Sequence, residues 1–306
     1  MNDKTKCFML GEDTETYGKG KKIDIPDVGK IKEMLIEDFN CDTLEEWLKL
    51  IAYDASKNKN SFAGNKLVWK YYFLPLSETR YKNQKTFWER YEANPQKAWM
   101  DVCKMDRRKK QPPGVRDVWE KNRAITFFKP STAKHLTQYF QAKKVFDPCA
   151  GWGGRSLGVV SAGASYTGFD TNPKVKESHD QMWKDIGGWE IPSTIHTESC
   201  LTAEHINGYD LALTSPPYGN LEVYEGMTPF TSDDDYFKNF LIPMLEVCEA
   251  TSSCSAINIS PKIYEKLTTT YGYRECDIKI DFKQQLGQKQ GKKQDYVYVW
   301  GAVIVG

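Results

Sequence analysis

Residues 214–219 read Thr-Ser-Pro-Pro-Tyr-Gly and directly follow the apolar run Tyr209-Asp-Leu-Ala-Leu. A buried strand that meets two consecutive prolines cannot continue its ladder, because neither proline has an N–H to donate. Pro217 also holds Pro216 in an extended conformation. The result is a stiff corner at the carboxyl end of a strand, carrying the Ser215 hydroxyl, carbonyls without ladder partners, and the Tyr218 ring. Such a corner accepts hydrogen bonds from an amino group while an aromatic plate covers the flat molecule that bears it. The bland reading of the same residues is an ordinary Pro-Pro turn.

A second constellation lies upstream, where residues 143–155 read Lys-Lys-Val-Phe-Asp-Pro-Cys-Ala-Gly-Trp-Gly-Gly-Arg. A short strand through Val145 and Phe146 runs into Asp147-Pro148, and then into a loop with Gly151, Gly153 and Gly154. The stretch from Leu157 to Ala162 has helical character. Glycine permits close approach of backbone to a ligand, and a helix N-terminus offers free N–H groups. The next strand, Ser165 to Phe169, ends at Asp170. An acidic residue about 20 positions past a glycine loop is where a nucleotide-type site places its ribose ligand. The glycine spacing is not the Gly-x-Gly-x-x-Gly of a dinucleotide site.

Asp147-Pro-Cys-Ala-Gly-Trp-Gly-Gly resembles the Asp-Pro-Phe-x-Gly-x-Gly loop with which amino-methyltransferases hold S-adenosylmethionine. Ser215-Pro-Pro-Tyr resembles the catalytic motif of DNA methyltransferases that modify N4 of cytosine or N6 of adenine. The resemblance covers roughly residues 125–306. It implies that Phe128, Lys129, Pro130 and Ser131 cover the methionine end of S-adenosylmethionine, although Lys129-Pro130 reads equally well as an ordinary helix start. Asp147, Cys149, Ala150, Gly151 and Gly153 would form the cofactor loop, Asp170 would hold the ribose hydroxyls, and Glu198 or Ser199 would reach the adenine. Ser215, Pro216, Pro217 and Tyr218 would form the target-base pocket, entered by a base that has left its helix. In this family a Ser-Pro-Pro-Tyr start goes more often with cytosine N4, so DNA cytosine is the expected target. Adenine N6, an RNA base and a protein glutamine amide keep the same chemistry. A nucleic-acid-binding protein without catalysis is the rival of another class. The stretch between Asn220 and Cys254 is short for a target-recognition insert, so sequence readout would fall to residues 1–125 or to short loops.

Around these motifs the chain must supply strands that end at one rim. Strand patterns fall near 144–147, 165–169, 193–197, 209–214, 254–259, 275–282 and 295–304. The first five alternate with helices and the last two flank a polar loop. This predicts an α/β, Rossmann-like methyltransferase sheet, parallel with a C-terminal antiparallel hairpin, over residues 125–306. Residues 1–124 are expected to form a mainly helical, basic and aromatic domain, with helical spacing from Val28 to Tyr53 and through 83–106, and a loosely held arm over about 1–20. There, Arg107, Arg108, Lys109 and Lys110 are expected to contact nucleic-acid phosphates, while the interleaved Trp and Tyr residues pack the domain's own core. Asp233-Asp-Asp reads as a solvated helix start.

The chain has 306 residues, 40% hydrophobic and 27% charged, with a net charge of +1. That balance fits one large or two ordinary domains and does not by itself announce a polyanion partner. Eight cysteines occur without a Cys-x-x-Cys pair, so neither a zinc ribbon nor a disulfide framework is indicated and no metal ligand is assigned. No apolar run is long enough for a bilayer, which with the thiol pattern suggests an intracellular setting without a membrane partner.

Overall fold

Short acceptor side chains start the N-terminal helices by capping their free N–H groups. Asp27 accepts from Lys30 N–H at the head of α1 (Val28–Phe39), and Asp42 accepts from Glu45 N–H at the head of α2 (Thr43–Ala52). After α3 (Asn65–Ser77) and a two-residue strand β1 (Arg80–Tyr81), Thr86 and Glu89 form a reciprocal capping box on α4 (Phe87–Ala93). Asn94 closes that helix before Pro95 opens α5 (Pro95–Met105), and α6 (Val115–Asn122) follows. The computed structural model describes residues 25–58, 60–81, 85–105, 114–122, 125–187, 190–202, 207–282 and 295–301. The arm over 1–20 and the Arg107–Lys110 run therefore lie outside the described residues.

From residue 130 helices and strands alternate: α7 (Pro130–Tyr139), β2 (Lys144–Asp147), α8 (Gly154–Ser161), β3 (Ser165–Phe169), α9 (Pro173–Ile186), β4 (Ser193–His196) and β5 (Tyr209–Thr214). A second two-residue strand, β6 (Glu222–Val223), leads to α10 (Asp233–Tyr236), which passes through a π-helical turn at Phe237–Leu241 into α11 (Ile242–Thr251). The chain then runs through β7 (Ser252–Ile259), α12 (Pro261–Thr269), β8 (Ile278–Phe282) and β9 (Asp295–Gly301). The strands β4-β3-β2-β5-β7-β9-β8 form one seven-stranded sheet. The first five are parallel and β9 and β8 are antiparallel, so the expected Rossmann-like sheet, parallel with a C-terminal antiparallel hairpin, is present. The strand order reverses between β2 and β5, which makes their carboxyl ends the switch point of the sheet. No helix among the described residues is long and apolar enough to cross a membrane.

Alternate residues of each central strand serve opposite layers, as a sheet covered on both faces requires. Val145, Leu211, Leu213, Val297 and Val299 join an apolar cluster that extends through the N-terminal helices to Ile31. Phe146, Ala212, Tyr298 and Trp300 join a second cluster under α11 and α12, with Leu245 and Leu267. The N-terminal aromatics pack as expected. Trp47, Trp69, Tyr72, Phe73 and Trp119 are buried, and Trp119 meets the Phe73 ring edge-on at 5.0 Å. Each such side chain contributes about 1.5–3 kcal/mol of burial.

Residues 115–122 form helix α6, whose Val118 and Trp119 are buried. The helical spacing expected through 83–106 is present as two helices, α4 and α5, separated at Asn94-Pro95, because proline cannot supply the N–H that continuation needs.

Glycine acts here mostly as a packing device. A Cβ on Gly158 would lie 2.3 Å from the Pro130 carbonyl oxygen and 2.5 Å from Ala133 Cβ, so α7 and α8 cross almost backbone to backbone. Helix propensity alone favours alanine over glycine there by about 1 kcal/mol, whereas overpacking against rigid backbone costs about 1–3 kcal/mol. Gly158→Ala should therefore lower the urea midpoint of unfolding. An unchanged or raised midpoint would show that the two helices can separate freely.

Candidate functional site

Asp147 ends β2 at the switch point with no exposure to solvent. Its Oδ2 accepts from Arg155 Nε at 2.6 Å and from the Tyr166 hydroxyl at 2.7 Å. Its Oδ1 accepts from Thr214 Oγ1 at 2.7 Å and from Cys149 N–H at 3.2 Å. Arg155 also donates to the Cys149 carbonyl. Burial works against the Arg155 charge, but Asp147 outweighs it and holds the guanidinium above its usual pKa. Burial, reinforced by Asp147, likewise raises the Tyr166 phenol well above its usual range. One carboxylate thus joins β2, β3, β5, the glycine loop and α8.

The glycine loop is fixed further by Ala150 N–H donating to the Phe169 carbonyl at 2.7 Å and Gly151 N–H donating to Asp170 Oδ2 at 2.8 Å. Gly151 and Gly153 have φ of 58° and 73°, in the left-handed region that glycine adopts readily. Gly153 is packed rather than open, since a Cβ there would lie 2.2 Å from the Tyr72 ring. The second oxygen of Asp170 accepts from Asn172 N–H at 2.9 Å. Burial raises the Asp170 pKa to about 6, and the two backbone N–H groups partly counter it.

A cleft of about 590 Å³, part of it open to solvent, lies beside these residues. Cys149, Ala150, Gly151, Trp152 and Arg155 line one wall, Phe127 and Phe128 another, and Asp170 and Val175 a third. Ser215, Pro217, Glu222 and Tyr224 complete it. The last two belong to a segment anchored away from the main sheet: β6 pairs antiparallel with β1, Tyr81 opposite Glu222. Lys174 binds both Glu78 and Glu225, at 2.9 and 2.8 Å. A Cβ on Gly226 would lie 2.1 Å from the Thr171 carbonyl oxygen. The segment is thus held against the end of β3, and Tyr224 meets the Trp152 ring edge-on at 6.1 Å.

Ser215 Oγ donates to Asn258 Oδ1 at 3.3 Å, and Asn258 Nδ2 donates to the Tyr296 carbonyl at 2.9 Å. The second bond sets the amide orientation, so its oxygen faces the serine. With its hydrogen so directed, the Ser215 oxygen keeps acceptor capacity for an incoming N–H donor. The Tyr218 hydroxyl reaches Asn258 Oδ1 at 3.4 Å, and its ring packs against the second apolar cluster.

Of the residues singled out in the sequence, Phe128, Cys149, Ala150, Gly151, Asp170, Ser215 and Pro217 share the cleft. Pro216 is buried at the strand end. Lys129 and Ser131 are directed elsewhere: Lys129 Nζ donates to Asn60 Oδ1 at 2.6 Å and Ser131 Oγ to the Ser61 carbonyl at 2.9 Å. Pro130 packs on Gly64 and Gly154. Glu198 is exposed beyond β4, its carboxylate accepting from Thr202, and Ser199 Oγ accepts from Leu201 N–H. The half-buried Cys149 thiol, in contact with Cys200 and largely desolvated, is held well above its usual pKa, which leaves it protonated and unreactive. The Asp233 to Asp235 run opens α10 under a Ser232 cap, with Asp233 paired to Lys266 and Asp234 to Lys238. Among the described residues no cluster of His, Cys, Asp and Glu could hold a metal ion.

No protein family and no curated protein matches the chain by sequence. Solved structures resemble parts of it at low identity. TrmN from Thermus thermophilus is 16% identical over 56% of this chain and 48% of its own, with a TM-score of 0.39. An rRNA methylase from Streptococcus thermophilus is 11% identical over 58% and 99%, with a TM-score of 0.38. The human methyltransferase 10 domain containing protein is 11% identical over 58% and 84%, with a TM-score of 0.41. Likeness of this degree decides nothing about substrate.

Asp147→Ala would leave Arg155 charged and buried without its partner. Loss of one member of a buried pair costs about 3–5 kcal/mol. The variant should unfold at a much lower urea concentration, or fail to accumulate as folded protein. Unfolding at the unaltered midpoint would show that the hub contributes nothing to stability.

Proposed function

We propose that the cleft binds S-adenosylmethionine and that the corner at 215–218 presents an exocyclic amine of a nucleobase to it, N4 of cytosine in DNA first among the candidates. The observation that carries this reading is the Ser215–Asn258–Tyr296 relay, which turns a serine at the rim of a nucleotide-type cleft into an acceptor for N–H groups. The residues present fit the donor. Asp170 uses one lone pair on each oxygen for backbone N–H and retains others for the two hydroxyls of a ribose. Trp152, Phe127, Phe128 and Tyr224 supply flat apolar surface for an adenine and aromatic faces for a cation. When bound, S-adenosylmethionine supplies an activated methyl group on a positively charged sulfur.

The chain's own residues then have to position and sharpen the nucleophile. An exocyclic amine delocalises its lone pair into the ring. Hydrogen bonds from its N–H groups to Ser215 Oγ and the Pro216 carbonyl draw the nitrogen toward tetrahedral geometry and free that pair. Two successive prolines keep the acceptors from moving, so alignment is prepaid, an effect that can contribute several kcal/mol. Tyr218, tethered at its hydroxyl, covers the base.

The test is transfer of labelled methyl from S-adenosylmethionine to duplex DNA, single-stranded DNA and RNA, with the product nucleosides resolved by mass. N4-methylcytosine in DNA is expected, and Ser215→Ala should lower the rate about 100- to 1,000-fold with unchanged donor affinity. N6-methyladenine would move the target base. Label confined to RNA or to a protein glutamine would overturn the substrate, and donor binding without any transfer would overturn the enzymatic reading.

A further inference from the structure

Glu222 is a cleft-lining carboxyl for which the proposed binding modes have no use. It stands four residues beyond Tyr218, in the same cleft as Ser215 and Asp170. Its backbone is set by pairing with Tyr81 in the short β1–β6 ribbon, so the side chain is presented from a fixed support rather than from a free loop. The other titratable groups around it are engaged or uncharged. Asp170 holds two backbone N–H groups, Arg155 is bound to Asp147, and the Cys149 thiol and the Tyr224 phenol are held protonated. On the paired strand, Arg80 is taken by Glu89 at 2.7 Å. Glu222 itself has no hydrogen bond or ion pair among the described residues, and burial alone pushes its pKa up to about 7. A carboxyl kept in a cleft without a partner weakens the fold once it ionises, and such groups concentrate where protons are handled.

We propose that Glu222 is the proton acceptor of methyl transfer, taking an N–H proton from the amino nitrogen as it is methylated. The role rests on the reading of the cleft as a methyl-transfer site. In the step, the nitrogen lone pair forms the N–C bond as the C–S bond breaks. The C–S electron pair stays on sulfur, which becomes a neutral thioether. As positive charge develops on nitrogen, the N–H proton first held in a hydrogen bond to Ser215 Oγ passes to the Glu222 carboxylate, which later releases it to water. A partnerless carboxylate is free to take that proton, and a pKa near neutrality lets it both accept and release it.

The experiment compares the unaltered chain with Glu222→Gln and Glu222→Asp in three measurements: single-turnover methyl transfer to DNA from pH 5.5 to 9, S-adenosylmethionine affinity, and melting temperature at pH 8. The unaltered rate should rise with pH through about 7. Glu222→Gln should lose that rise and be slowed about 100-fold or more, with donor affinity within a few-fold of unaltered, and Glu222→Asp should keep the rise at a reduced rate. The folded-state pKa lies above the ordinary value of 4.5, so the ionised group destabilises the fold increasingly as pH rises to about 7 and fully beyond it. Glu222→Gln should accordingly melt higher at pH 8, separating a lost proton acceptor from a damaged structure. An unaltered rate and profile in Glu222→Gln would overturn the role, as would a loss confined to donor affinity. Absence of transfer by the unaltered chain, with donor bound, would instead overturn the reading beneath it.

Discussion

Everything near the cleft depends on the Asp147 carboxylate. It is buried at the switch point and satisfied by four donors: a guanidinium, a phenol, a hydroxyl and a backbone N–H. An unpaired ion in that position would cost several kcal/mol, whereas a fully bonded one fixes the relative placement of every group it touches. Through Thr214 it holds the strand that delivers Ser215, and through Cys149 and Arg155 it holds the loop that delivers Gly151 to Asp170. The glycine-loop side and the Ser215 side of the cleft are therefore set by one hub, and neither can shift without breaking a bond to it.

The sheet turns that hub into a site by topology. Parallel strands diverge on either side of β2 and β5, and the crevice beyond their carboxyl ends is the one place where loops from both halves meet. The helical N-terminal segment is more than an appendage, because its apolar cluster continues into the sheet. Its short strand β1 supports β6 from outside, and the Lys174 bridge between Glu78 and Glu225 reinforces that support. The wall that carries Glu222 and Tyr224 is thus held by the N-terminal helical segment on one side and by the start of α9 on the other.

Much of this was legible in the sequence because its signals are local. Apolar runs bounded by Gly, Pro and Asp marked the sheet strands to within a few residues, and Asp170 and Ser215 were recognisable as strand-end residues. The misses share a different cause. The β1–β6 ribbon consists of two-residue strands far apart in sequence, too short for any periodicity. Asn258 lies at the end of an otherwise apolar strand, and only the fold brings it to Ser215. Lys129 and Ser131 were expected to cover the methionine end of a donor, but their partners at residues 60 and 61 come from a segment without a motif. Gly153 and Gly154, read as room for a ligand, make room for Tyr72 and the Phe128 carbonyl, since glycine spacing reports close approach without naming what approaches.

The most direct test of the cleft as a methyl-donor site is calorimetric titration with S-adenosylmethionine between pH 5 and 8, for the unaltered chain and Asp170→Asn. In the proposed binding mode Asp170, with its pKa raised to about 6 by burial, must be ionised to accept both ribose hydroxyls. One-to-one binding should be constant above about pH 6 and weaken by up to tenfold per pH unit below it. Asp170→Asn should bind more weakly and show no such inflection. Absence of binding, or equal affinity of both proteins across the whole range, would contradict the account.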